Sequence, residues 1–513
     1  MSALTTVITE YLAGRAAQNF AKQYVVILCI FLLGALISDL LLDKEESWQK
    51  KCILAFPAGL SAFVVTAYFL LITGIPYNRT SVICAVILEI AVCVFLNRRA
   101  YASLRTDFGP LRKNHMLASL AFVLVFGAVA TSGIMPVSIS NDSMYFFRRY
   151  PDIIVYYGHL RDQFDFWLTD TGLGIVSVDT LPALFGFGES FGIREFFHIN
   201  FIAFFGVCAY ERGSRRAKRK SAIVYAVVLT VFLASATPFY ILGHWALANM
   251  YFMEMFFIAA YCAIDGKKGS IGEVSLFLVA VGLFRIEGTL FVVWLVLCIS
   301  LYTDLGKKLA MYVILPVTLL FGGYCLRIFA GFNVLDNIYL FLTPQKAVLL
   351  IAVLVFTGIF IAFVLPVFKI RFASALPFMY IGALVLGNLV LFAYDRDLYI
   401  GNLGAFADNL FRQSGWGMFP YFVIGTVFLL VAEYIIRRIK GEVWRIGDNA
   451  YNITLTVGFL LIVLAASFGR GDVLYENVGD SGNRVLLQIT PLVVMTLGEL
   501  FFDLFAKSGS KGE

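Results

Sequence analysis

Leu117-Ala-Ser-Leu-Ala-Phe-Val-Leu-Val-Phe-Gly-Ala-Val-Ala-Thr-Ser-Gly-Ile-Met135 runs straight into Pro136-Val-Ser138-Ile-Ser-Asn-Asp142-Ser-Met-Tyr-Phe-Phe-Arg148-Arg149-Tyr150-Pro151. The first stretch carries no charge and is long enough to cross the roughly 30 Å hydrocarbon core of a bilayer as a helix. The second opens the longest polar stretch of the chain, and the first acid in it is Asp142, followed within two helical turns by Arg148 and Arg149. Pro151 and Gly158 bracket Asp152-Ile-Ile-Val-Tyr-Tyr157, whose apolar and aromatic content predicts a short helix in the headgroup layer. Two readings of these residues stay open. Asp142 caps the helix entered at Ser143 and the arginines snorkel to lipid phosphates, or the carboxylate and guanidiniums together form a site.

The rest of the chain fits that beginning. Of its 513 residues 60% are hydrophobic and 14% charged, with a mean hydropathy of +0.84, too few polar side chains to cover a soluble globule. The expectation is an all-α polytopic membrane protein. Its net charge of +6 implies no nucleic-acid partner, because lysines and arginines concentrate in short loops between apolar runs, where bilayer orientation accounts for them. All eight cysteines lie in or beside apolar runs and read as small core residues rather than disulfide or metal ligands. The N-terminus reads as lacking a signal peptide. Leu4, Val7, Ile8, Tyr11 and Leu12 fall at helical spacing, so residues 1–22 are predicted as an amphipathic surface helix.

Apolar runs near spanning length occur at 24–42, 52–73, 81–97, 115–135, 191–210, 221–242, 247–264, 271–285, 289–303, 309–329, 346–367, 373–393, 417–436, 449–468 and 485–505. They predict about 13–15 transmembrane helices in a single transmembrane domain. Residues 24–114 form extra N-terminal helices and 115–505 the core, with a long loop at 136–190. The basic loops between Arg98 and Lys113, between Arg212 and Lys220, and at Lys267-Lys268, Lys307-Lys308, Lys369/Arg371 and Arg437-Arg438 share one side, which the positive-inside rule makes cytoplasmic. Parity places loop 136–190 and the N-terminus on the opposite side. Between Lys268 and Lys307 only about 35 residues must cross twice, so they form a hairpin of two short helices. Its tip is Phe284-Arg285-Ile-Glu287-Gly288. A charge at mid-bilayer costs at least about 2.5–3.5 kcal/mol, so this pair faces protein or water, either as a structural ion pair or as a cation carried to a cavity shared with the long loop. Arg484 sits at the outer end of the last span, after a loop that mixes charges with glycines.

Neither a Walker lysine motif, nor His-Glu-x-x-His, nor a Gly-x-Ser-x-Gly elbow occurs in the chain. No internal repeat shows itself, which weighs against a secondary transporter, although Glu89 and Glu254 lie within apolar runs as a transporter would need.

The order of these elements resembles the GT-C superfamily of polytopic glycosyltransferases. The matching residues are Asn141-Asp142-Ser-Met-Tyr145 just past a span, Arg149-Tyr-Pro151 and the interfacial helix, Arg285-Ile-Glu287-Gly288, and the terminal Gly482-Asn-Arg484-Val-Leu-Leu-Gln-Ile-Thr-Pro491. The likeness covers residues 115–505, and its individual motifs are short. Family members usually place the acidic loop after their first helix, whereas here about three spans precede the helix that leads into it, and Ser143 stands where the second acid of the usual pair would be. The resemblance implies transfer of a sugar, with inversion, from a polyprenyl-phosphate-linked donor to a glycan or glycolipid acceptor at the outer face of a bacterial plasma membrane. Asp142 would act as general base. Arg285 and Arg484, helped by Arg148 or Arg149, would offset charge on the leaving phosphate. Asp165, Asp170, Asp179 and Glu287 are candidates for orienting the acceptor or holding a divalent cation; Asp165, Asp170 and Asp179 serve equally as turn and cap residues. A lipid-linked-saccharide flippase and an oligosaccharide polymerase are the alternative readings.

The topology makes a direct prediction. A cysteine placed at Thr171 should react with an impermeant thiol reagent in intact cells while one at Ser214 should not; the reverse pattern would invert the orientation.

Overall fold

The computed structural model describes residues 2–41, 48–104, 110–131, 149–160, 171–187, 191–215, 217–239, 248–265, 271–331, 342–412, 416–441, 450–470 and 485–505. Among them every regular element is helical. The helices are α1 Ser2–Leu41, α2 Trp48–Thr73, α3 Arg79–Leu104, α4 Pro110–Thr131, α5 Tyr150–Tyr157, α6 Gly174–Asp179, α7 Leu181–Phe185, α8 Phe191–Ser214, α9 Arg219–Ala234 and α10 Ala248–Asp265. They continue with α11 Ile271–Phe284, α12 Gly288–Tyr302, α13 Gly306–Leu309, α14 Leu315–Gly331, α15 Pro344–Ile359, α16 Leu365–Phe372 and α17 Leu376–Tyr394. The last four are α18 Arg396–Ala407, α19 Phe419–Ile439, α20 Ala450–Arg470 and α21 Thr490–Phe505.

Among the described residues each apolar run of the sequence carries a helix, and eight helices are long and apolar enough to cross a bilayer unaided. Large apolar side chains such as Phe363, Phe378, Leu386 and Phe428 point away from the protein, as lipid rather than water requires. The chain is a multi-pass integral membrane protein.

Three details depart from the sequence reading. Residues 2–41 form one helix, so the expected surface helix at 1–22 and the first span are continuous; no glycine or proline between Arg15 and Leu33 interrupts the backbone. At about 60 Å, α1 is twice as long as the hydrocarbon core is thick. Second, the expected single domain resolves into two compact units interleaved in sequence. Unit 1 comprises Met1–Phe201, His244–Val296 and Leu305–Phe363, and unit 2 comprises Ile202–Gly243, Leu297–Asp304 and Val364–Glu513. The chain passes between them inside α8 and α12, which is why no linker composition marks the boundary. Third, π-helical turns at Ala310–Ile314 and Phe360–Val364 each end at a Leu-Pro step, Leu315-Pro316 and Leu365-Pro366. Proline removes the N–H that would bond four residues back, and a widened turn just before it accommodates the lost bond.

Unit 1 is built around α2, which is buried on nearly all sides. It crosses α1 where Gly34 meets Ala55 and Gly59 meets Ile30; a Cβ at either glycine would overlap the facing carbonyl oxygen. Such close backbone approach is how helices adhere in lipid, where apolar surface gains little by leaving its solvent. Pro57 lies inside α2 and frees the carbonyl of Ile53. Asn200 of α8, 1% exposed, fills that vacancy: its Nδ2 donates to the Ile53 oxygen at 2.7 Å. In unit 2, Asn388 plays a similar part on α17, donating to Leu461 O at 3.0 Å and accepting from Tyr399 Oη at 2.9 Å. The buried Arg212–Glu499 ion pair, at 3.3 Å, joins α8 and α21 within the same unit.

Asn200→Leu should therefore destabilise the protein by about 1–3 kcal/mol, the typical cost of an orphaned buried acceptor. Pro57→Ala restores an N–H able to reach Ile53 O, and in the Asn200→Leu background it should recover much of the lost thermal stability in detergent. Recovery by Pro57→Ala is the decisive reading, since packing loss alone would not respond to it.

Candidate functional site

The described parts of the long loop, 149–160 and 171–187, are held by hydrogen bonds at one end of unit 1. α5 starts with Pro151 in its first turn, carries Asp152 where the helix dipole favours an acid, and ends at Gly158, whose φ of +73° suits glycine. The helix thus extends over 150–157, close to the expected interfacial helix. Its Tyr150 and Ile154 are buried while Tyr156 is 83% exposed. The Tyr77 N–H, between α2 and α3, donates to Gly158 O at 2.6 Å, and the Tyr77 hydroxyl meets Thr180 Oγ1 at 2.7 Å. Burial pushes the Tyr77 phenol above its ordinary range, an effect its bond to Thr180 only partly offsets. It stays a neutral donor.

α6 packs its first residue against the end of α11: a Cβ on Gly174 would overlap the Leu283 carbonyl. Gly172, at φ +74°, lies against Ile286; a Cβ there would stand 3.4 Å from the Ile286 nitrogen. The α11–α12 hairpin is the short one that the sequence requires, and its tip meets the long loop here. The Gly288 N–H closes the turn on Arg285 O at 2.9 Å, and Thr289 Oγ1 donates to Ile286 O at 2.9 Å. Arg285 Nε lies 2.9 Å from Glu287 Oε1, an ion pair at an angle outside hydrogen-bond geometry, with side chains 21% and 34% exposed.

Behind the tip lies a row of buried ionisable groups. Arg194 Nη2 reaches both oxygens of Asp179 at 2.5 Å, fastening the end of α6 to α8. Its guanidinium sits 5.3 Å from the centroid of Tyr251, which in turn stacks on Phe284 of α11. One turn along α8, His198 Nδ1 lies 2.8 Å from Glu254 Oε1 of α10. Glu254 is 0% exposed, and its Oε2 has no hydrogen-bond partner among the described residues. Glu195, also buried, is close enough to act electrostatically on both His198 and Glu254. Glu89, on α3, bonds to Thr66 of α2.

Of the residues singled out from sequence, Asp142, Arg148, Asp165, Asp170 and Arg484 lie outside the described residues. Arg149 is exposed at the N-terminus of α5, Arg285 and Glu287 are paired with each other at the hairpin tip, and Asp179, a candidate for the acceptor or a cation, is instead buried against Arg194. Thr171 is buried, so Tyr156 is the better labelling position for the topology test. Arg194 and His198 are not among the residues singled out from sequence. The available signal was their spacing of four at the start of an apolar helix, which puts both on one face. Among the described residues, no group of three or more His, Cys, Asp or Glu side chains is placed to hold a metal ion. The fold defines a multi-pass, all-α integral membrane protein. No family model, curated protein or solved structure matches the chain.

Asp179→Leu leaves the Arg194 charge buried without its acid and should destabilise by about 3–5 kcal/mol. Combining it with Arg194→Met should restore most of the loss, because an apolar pair of similar volume replaces an ion pair at little net cost. Thermal unfolding of the two variants in one detergent compares them; a double variant no more stable than the single would refute the pairing energetics.

Proposed function

We propose that the protein is an integral membrane glycosyltransferase. It moves a sugar from a polyprenyl-phosphate carrier to a hydroxyl of a glycan or glycolipid acceptor, working at the outer face of a bacterial plasma membrane. The observation that carries this reading is Arg285: a guanidinium, partly exposed, at a hairpin tip that rests on Gly172 where the long loop returns to the bundle. Arg149 adds a second cation at the N-terminus of α5. A positive charge there opposes the helix dipole, so helix stability does not account for it, whereas a phosphate ligand does.

In the reaction, the acceptor oxygen attacks the anomeric carbon from the face opposite the phosphate. The new C–O bond takes the acceptor's electron pair, the old C–O bond leaves with the phosphate, and the hydroxyl proton passes to the Asp142 carboxylate. Phosphate departs as an anion and needs no acid. Arg285, with Arg149, Arg148 and Arg484, stabilises the charge that grows on it. Asp165 and Asp170 orient the acceptor or hold a divalent cation.

A second reading, a flippase for lipid-linked saccharides, is favoured by the His198–Glu254 pair and by Glu89, ionisable groups inside helices rather than at their ends. The two readings separate in one preparation. Purified Asp142→Asn should lose about 10²- to 10⁴-fold in sugar transfer, whereas Asp152→Asn, on α5, should keep near-normal turnover. Equal transfer by both, with carrier translocation in liposomes, would replace the enzyme by the flippase.

A further inference from the structure

A groove of about 420 Å³ runs along unit 1 between the α13–α14 helix and α15, walled by Met311, Ile314, Val355, Ile359 and Phe363, with Lys307 at one end. Thr318 supplies the hydroxyl in its wall, and that hydroxyl donates to its own helix, to Ile314 O at 2.7 Å. The lining therefore offers a ligand apolar surface along its length and a cation at its mouth. The floor is closed by tight helix contact: a Cβ at Gly306 would stand 2.5 Å from Ile361 O, and one at Gly358 3.1 Å from Ile314 Cγ2. The two π turns, Ala310–Ile314 and Phe360–Val364, contribute to its walls through Met311, Ile314 and Phe363. Met311, Ile359 and Phe363 stand more than half exposed.

From Lys307 to Thr318 the helix rises about 16 Å, roughly half the 30 Å hydrocarbon thickness. That is the depth of one leaflet. Lys307 and its neighbour Lys308 are exposed and form no ion pair among the described residues. We propose that this groove is a binding site for one anionic phospholipid of the surrounding bilayer, with an acyl chain along the apolar walls and the phosphate on the Lys307 ammonium. A chain of one leaflet's depth and a headgroup of net negative charge satisfy both features together. A zwitterionic lipid would satisfy only the first, because its own cation neutralises the phosphate. Basic residues at the membrane surface attract anionic lipid by about 1 kcal/mol each, about five-fold in affinity.

The test uses the full-length protein in detergent micelles, titrated with phosphatidylglycerol or phosphatidylcholine of identical chains and read by native mass spectrometry. Wild type should retain phosphatidylglycerol about five-fold or more over phosphatidylcholine. Lys307→Gln should abolish that preference, while Lys440→Gln, an exposed lysine ending α19, should leave it unchanged. Ile359→Trp and Met311→Trp, on opposite walls at exposed positions, should each reduce retention of both lipids while circular dichroism stays unaltered. Equal retention of the two lipids by wild type, a preference that survives Lys307→Gln, or retention untouched by both tryptophan variants would overturn the assignment.

Discussion

Neither Asp179 nor Arg194 could be buried alone, and each is buried here because the other is. A lone charge in a low-dielectric interior is excluded by its desolvation cost, so the position of one fixes the position of the other. Asp179 ends α6, a helix of six residues that has no nucleating strength of its own. The ion pair fastens that end to α8, Gly174 seats the other end against Leu283, and the following Thr180 receives Tyr77. Three connections that do not span the bilayer are thereby gathered at one end of unit 1: the α2–α3 turn, the α5–α7 segment and the α11–α12 tip. Their geometry depends on polar contacts because apolar packing in lipid gives little directional preference.

The same logic governs the spanning helices. In hydrocarbon each backbone carbonyl needs a partner, so Pro57 is tolerable only because Asn200 is there to receive the carbonyl it frees. Gly34 and Gly59 allow α1 and α2 to touch backbone to backbone, and Asn388 joins α17 to α20 in unit 2 through Leu461 O. Apolar side chains fill the remaining space without specifying it. Their outward members face lipid on α3, α17 and α19, which are the least buried of the long helices.

The spans were legible because a hydrophobic run of spanning length has one stable solution in a bilayer. The short hairpin and its charged tip were legible for the same reason: two basic loops too close for two full spans force a tight return at Arg285-Ile-Glu287. Interior breaks were harder. The π turns answer to Leu-Pro steps whose effect on helix register is local and subtle, and the division into units runs through α8 and α12 without a mark in composition. The buried pairs were not legible as pairs. Arg194 and Asp179 lie 15 residues apart and His198 and Glu254 lie 56 apart, separations at which no periodicity connects them. Sequence reasoning instead weighted Asp142 and Arg484, which stand out by their flanking residues.

Arg194 and Arg285, both in unit 1, differ in what each is free to do. Arg194 is buried, holds both oxygens of Asp179 and lies against the Tyr251 ring. An incoming anion would have to displace that acid inside the protein, leaving a carboxylate stranded at a cost of several kcal/mol. Arg285 meets its acid two residues away across a turn, at an angle outside hydrogen-bond geometry and with both side chains reached by solvent. Water can take over Glu287 as an anion takes over Arg285, so the exchange leaves no buried charge unmatched. The pair that fastens α6 to α8 is therefore the costlier one for an anion to open, and the pair on the tip is the one whose guanidinium is open to the phosphate of the proposed donor.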